Sequence, residues 1–166
     1  MSEKTTLHLS KVSRTLIYVG THFAIECAIR KDGTSPAMRM LNQLAQARVE
    51  IPDFPPPDTA QPLFLTDLMI FIKEIADGYL PRSGALNYLT EGVWELKRET
   101  IRITFYDTDG AGNFHGHQRK SFLEDQFYPI LRLGHSFVKQ SAKTSQEDIN
   151  LALLTRKEDI DYDKAS

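Results

Sequence analysis

Between Ile130 and Thr144 the chain carries His135, Lys139 and Lys143 with no carboxylate among them. An imidazole can take or give a proton near neutral pH, and two lysines in the following turn add fixed positive charge. Directly after them, Thr144-Ser145-Gln146-Glu147 has the hydroxyl and the Glu three residues on that start a helix. The first backbone N–H groups of such a helix are free and favour an anion. Proton carrier, cations and helix start thus meet at one place, and the chemistry they suit is that of a phosphate or another oxyanion. A second pair, His115 and His117, has a spacing that could hold a metal, but no third ligand accompanies it. The pair reads as part of a loop, and the chain calls for no metal and no cofactor.

The elements that must position these groups follow from periodicity. Residues 130–138 form an apolar run interrupted by Gly134-His135, which reads as a buried central strand leading into the basic turn. The helix beyond keeps Ile149, Leu153, Arg156 and Ile160 at helical spacing, and an acidic tail, 158–166, closes the chain. At the other end, residues 1–14 are polar and read as a flexible N-terminus. Residues 15–29 are β-like, with Gly20 marking a turn, and their second half alternates as a half-buried strand does. Ser35-Pro36 opens a helix, the hydroxyl at the cap and the proline in the first turn. That helix runs to about Arg48 with Met38, Leu41 and Leu44 on one face. Five prolines between Ile51 and Pro62 predict an extended connector, after which Thr66 is expected to cap a second helix ending at Asp77-Gly78. Residues 81–90 read as loop. Residues 93–98 and 101–106 read as a two-stranded hairpin, and 113–128 as a peripheral insert before the organising strand. The order predicts one α+β domain: an antiparallel sheet of about four strands, two helices on one face and a C-terminal helix.

Composition narrows the class. The chain has 166 residues and a formal net charge of −2, which argues against a broad electrostatic footprint on nucleic acid but allows a local one. One cysteine, Cys27, excludes an internal disulfide framework. No apolar run approaches membrane-spanning length, and no secretory leader pattern opens the chain, so the expected location is a reducing cytoplasm, away from membranes.

The motifs, taken jointly, resemble the RelE/HigB-like toxins of bacterial toxin–antitoxin modules, in their phage-derived branch. Those proteins have a Trp-Glu-Leu-Arg-like strand followed by an Arg-x-x-Tyr/Phe strand. A leucine-rich strand, a His-Gly-Phe-x-Lys-Lys-like turn and a Lys-Thr-capped helix come next. Here the matching residues are Trp94-Glu95-Leu96-Lys97, then Arg102 to Tyr106, then Leu131 to Lys139 and Lys143-Thr144, with Ile149, Ala152 and Arg156 on the helix. Three departures stand out: the 113–128 insert, the order Gly134-His135 in place of His-Gly, and the near-neutral charge.

The resemblance implies a RelE-like fold and an endoribonuclease of the mRNA-interferase type, which inhibits translation with or without the ribosome and is neutralised by an antitoxin protein. Such a hydrolase needs no metal: a base takes the 2′-hydroxyl proton, the oxygen attacks the adjacent phosphate, cations stabilise the charge and an acid protonates the leaving 5′-oxygen. On this chain His135 would be the base or acid, Arg102, Lys139 and Lys143 would meet the phosphate, and Tyr106 would hydrogen-bond or stack. Lys97, Arg98 and Arg156 would bind RNA, although alternation lets only one of Lys97 and Arg98 face the groove. Each also has a plain structural reading: His135 as a hydrogen-bonded core histidine, the two lysines as solvated turn residues, Arg102 as an outer-face cation, Tyr106 as packing. The competing function is a non-catalytic relative of phage or plasmid origin that binds RNA or protein, since a shared fold does not carry an activity with it.

Overall fold

Ile25 and Cys27, Leu131 and Leu133, Ile103 and Phe105 are apolar at every second position, so strands built from them share one greasy face. The computed structural model describes residues 13–52, 59–116, 122 and 126–165. In chain order it contains β1 (Leu16–Val19), β2 (Ala24–Cys27), α1 (Pro36–Ala45), α2 (Ala60–Ala76), β3 (Leu86–Thr90), β4 (Val93–Arg98), β5 (Ile101–Thr108), β6 (Ile130–Val138) and α3 (Gln146–Ala165). The sheet order is β1-β2-β6-β5-β4-β3. The fold is α+β as expected, but the sheet has six strands rather than four. It is mixed, because β2 runs parallel to β6 while every other pair is antiparallel. Among the described residues, no helix is long and apolar enough to cross a membrane.

The extra strands are the two edges. The stretch expected as a loop over 81–90 contains β3, which pairs Leu86 with Leu96 and Tyr88 with Trp94. The hairpin at Gly20 supplies β1 as the other edge. α1 begins where Ser35-Pro36 predicts, with the Met38 N–H donating to Ser35 Oγ at 3.3 Å, and it ends at Ala45 rather than Arg48. α2 starts six residues before the expected Thr66 cap. Pro62 lies in its first turn, where no N–H is needed, and the Thr66 hydroxyl donates back to the Pro62 carbonyl.

α1 and α2 cover the apolar face with Ala37, Met40, Leu41, Leu44, Phe64, Leu68, Phe71, Ile72 and Ile75. The 113–128 insert is not wholly peripheral. Phe122 is buried in this core, edge-on to Trp94 and Phe105, and Phe127 packs beside it. Leu123 lies outside the described residues.

α3 covers the opposite face, and its seat is polar. Tyr106 donates to an Asp159 carboxylate, and Arg132 bonds Asp163, Asp159 (3.0 Å) and Glu26 (2.8 Å). Of the expected acidic tail at 158–166, residues 158–165 are therefore the last turns of α3, where Asp159 and Asp163 are buried. Of the expected flexible N-terminus, 1–12 lie outside the described residues. Arg14 is tied to Asp159 at 2.8 Å and to Asp163 at 3.1 Å.

Candidate active site at the end of β6

β6 outruns its parallel neighbour. The pairing with β2 stops at Cys27 and Leu133, whereas β6 continues to Val138 against β5. Opposite Thr104 the register slips, so that Ile103 faces Ser136 and Phe105 faces Leu133. Gly134 and His135 form this bulge, a device that re-aims a side chain. A Cβ on Gly134 would lie 3.2 Å from Thr104 Oγ1, so glycine suits the close approach. The Thr104 hydroxyl donates to the His135 carbonyl at 2.8 Å and pins the bulge.

The bulge turns His135 toward the start of α3. Its Nε2 lies 2.9 Å from Asp148 Oδ1, and its ring stacks on Phe137 with centroids 5.1 Å apart and planes 16° apart. Asp148 is itself fixed: its N–H donates to Ser145 Oγ at 3.1 Å, and that hydroxyl donates to Asp148 Oδ2 at 2.9 Å. The cap is thus Ser145 with Asp148, one residue later than the expected Thr144 with Glu147. A carboxylate only accepts, so Nε2 carries the hydrogen and Nδ1 offers a lone pair. His135 and residues 136–138 line a groove of about 840 Å³ between α1 and α3, with Arg30, Ser35, Arg39 and Glu50 among its other walls.

The expected site residues divide. Lys139 follows directly, its N–H donating to the Thr100 carbonyl at 2.7 Å, and Lys143 is exposed in the turn. Neither makes an ion pair with any described residue. Arg102 pairs in register with Phe137 and with Lys97, forming one row at this end of the sheet. Its guanidinium is nevertheless buried and committed: Nη1 donates to the carbonyls of Glu99 (2.6 Å) and Ile101 (3.0 Å), and Nε lies 3.9 Å from Glu95 Oε1. Burial lowers its pKa, opposed by the Glu95 charge.

Tyr106, expected to hydrogen-bond or stack at the site, is buried under α3 with its hydroxyl spent on Asp159. Burial, then the Asp159 charge, raises its pKa well above the usual value. Arg98 faces the other side of the sheet, where it bonds Asp67 at 2.7 Å over the Phe64 ring. Arg156 is buried, donating to the Glu91 carbonyl at 2.6 Å above the Phe114 ring. These last three hold elements together and do not line the groove.

A second histidine–carboxylate pair lies elsewhere. His115 Nδ1 is 2.5 Å from Asp107 Oδ2, and the ring stacks on Tyr128. Asp107 also accepts from the N–H groups of His115 (2.9 Å) and Tyr128 (2.8 Å), so it organises the ends of the insert. His117 lies outside the described residues, and no group of three or more metal-ligating side chains occurs among those described.

Reading the sequence missed Asp148, Ser145 and Arg39. The first two had a signal, since Ser145-Gln146-Glu147-Asp148 is itself a cap pattern with an acid at its fourth place. No protein-family model matches the chain, and no curated protein is similar to it.

Proposed function

We propose that the chain is a metal-independent endoribonuclease, a toxin of the RelE/HigB-like kind acting on mRNA and restrained by an antitoxin protein. The observation that carries this reading is the His135–Asp148 pair, with His135 lining an open groove and Lys139 and Lys143, which pair with no described carboxylate, following in the chain. With Nε2–H held by Asp148, His135 Nδ1 takes the 2′-hydroxyl proton of a bound ribose. The 2′-oxygen attacks the adjacent phosphorus, the bond to the 5′-oxygen breaks, and the imidazolium returns a proton to that leaving oxygen. Asp148 orients the ring and stabilises its charged form. Lys139 and Lys143 face the charge that grows on the phosphate, and the buried Phe137 ring supports the His135 imidazole by stacking.

The test is incubation of the purified chain with single-stranded RNA, with and without ribosomes, followed by mapping of the new 5′ ends. His135→Gln and Asp148→Asn are expected to lower the cleavage rate by roughly 10²–10⁴-fold while leaving the urea midpoint close to the parent's. No cleavage by the parent under either condition would overturn the reading. One observation favours the second function, a non-catalytic RNA- or protein-binding relative. Arg102 and Tyr106, to which the family resemblance gives a phosphate contact and a hydrogen-bonding or stacking role, are both committed to internal bonds.

A further inference from the structure

The overhang of β6 leaves a strand edge open inside the groove. The Lys139 N–H donates to Thr100 across the β5 pairing, and hydrogen-bonded pairs alternate along an antiparallel ladder. Arg102 and Phe137 therefore bond each other, while Ser136 and Val138 turn their N–H and C=O groups away from β5, toward the groove. β2 does not meet them. Its ladder ends at Leu133, with one further bond from the Ala28 N–H to the Leu133 carbonyl at 2.8 Å. Past that point no described strand pairs with this edge, and the groove beside it is lined by the loop after β2, by α1 and by Leu151 of α3.

We propose that this edge docks an extended polypeptide segment of a partner protein, added as a strand beside residues 135–138. Unpaired backbone groups within a walled slot call for another backbone at strand spacing. An edge walled by helices suits a single segment and disfavours a second copy of this chain docking by its whole sheet. The walls state the segment's chemistry. Arg39 and Glu50 line the slot without an ion-pair partner among the described residues, so an acidic and a basic side chain on the segment would complement them. Pro36, Met40 and Val49 on the α1 side offer apolar contact to an alternate side chain. Docking does not depend on the RNA reading. Its one consequence that does is that a seated strand covers His135 and excludes RNA.

The experiment selects displayed random peptides of about ten residues on the full chain, then maps amide hydrogen exchange with the best peptide bound. Slowed exchange at Ser136 and Val138 is expected, together with a loss of about tenfold in affinity when alternate peptide nitrogens are methylated. Ser136→Pro removes a donor that faces the groove but not the β5 ladder, and should weaken binding similarly. Arg39→Glu, far from any ladder bond, provides the same comparison if that variant misfolds, and should weaken acidic peptides selectively. Selection of no peptide, protection mapped elsewhere, indifference to N-methylation, or protection of these amides by a single-stranded oligoribonucleotide in place of peptide would each overturn the proposal. Failure to cleave RNA would leave these outcomes unchanged.

Discussion

The two faces of the sheet are sealed by opposite means. Toward α1 and α2 the strands present Ile25, Leu131, Leu133, Ile103 and Phe105, and the helices answer with leucine, isoleucine and phenylalanine. Toward α3 the same strands present Glu26, Arg132, Tyr106, Thr104 and Arg102, and the helix answers with Asp159, Asp163, Thr155 and Arg156. Apolar burial scales with area and is indifferent to direction. Buried ions gain about what they lose in desolvation, but only in one geometry. The first face therefore contributes most of the stability, and the second fixes where α3 sits. That placement matters to the candidate site, since Asp148 reaches His135 from the first turn of the same helix.

The sharpest way to break the comparison is at Arg132. Arg132→Met leaves the buried Asp159 and Asp163 carboxylates with Arg14 as their one cation among the described residues, and should cost ~3–5 kcal/mol in urea unfolding. Adding Asp159→Asn and Asp163→Asn should recover part of that loss, because the buried carboxylates are then neutral, while Arg14 gives up its two ion pairs. Leu133→Ala, one residue along and on the other face, should cost ~2–5 kcal/mol, and no polar substitution on α3 should rescue it. Equal rescue on both faces would show that the distinction does not hold.

Much of the apolar face was legible because its signals are local: alternation in β2, β5 and β6, and a proline and serine at the start of α1. The polar face was not. Nothing near Tyr106 in sequence announces Asp159, 53 positions away, and an acidic C-terminal stretch reads as a solvated tail until Arg14 and Arg132 are found against it. The parallel pairing of β2 with β6 was hidden for the same reason, since strand partners are set by topology. β3 was obscured by the glycines that bracket it, Gly84 and Gly92. At the candidate site, His135 on the β6 run lines the groove, whereas the side chains of Arg98 and Tyr106, named from the family resemblance, are claimed by other elements.

A smaller effect sharpens the same contrast through pH. The folded Tyr106 pKa is raised well above the usual tyrosine value of 10.0, chiefly by burial and then by the Asp159 charge. Above about pH 10 the unfolded chain loses this proton while the folded chain keeps it, so stability falls as pH rises further. Urea midpoints measured at pH 8 and near pH 11 should show that decline. Tyr106→Phe, which cannot ionise, should flatten the slope even though it loses a hydrogen bond. An unchanged slope in the variant would assign the decline to other groups.

The smallest expected change is at the rim of the α3 seat. Glu158 has its pKa lowered, first by the Arg30 hydrogen bond and then by the Lys31 N–H. Its contribution is present above the unfolded value near 4.5 and is lost as pH falls through the lower folded value. Glu158→Gln should cost under ~1 kcal/mol at neutral pH, and the difference from the parent should vanish in acid. A difference that persists at low pH would point to packing of the side chain instead.

The aromatic cluster around the insert has an optical consequence. Trp94 is the chain's single tryptophan, with Tyr88 and Phe122 edge-on at 5.1 and 5.3 Å and its N–H buried without a hydrogen bond to any described residue. Such an indole emits at short wavelength, and Phe122 belongs to a segment that is otherwise remote from the tryptophan in sequence. Intrinsic fluorescence of the unlabelled protein therefore monitors one event, the seating of Phe122, and a red shift without loss of helical signal would record that segment leaving a sheet that is still folded.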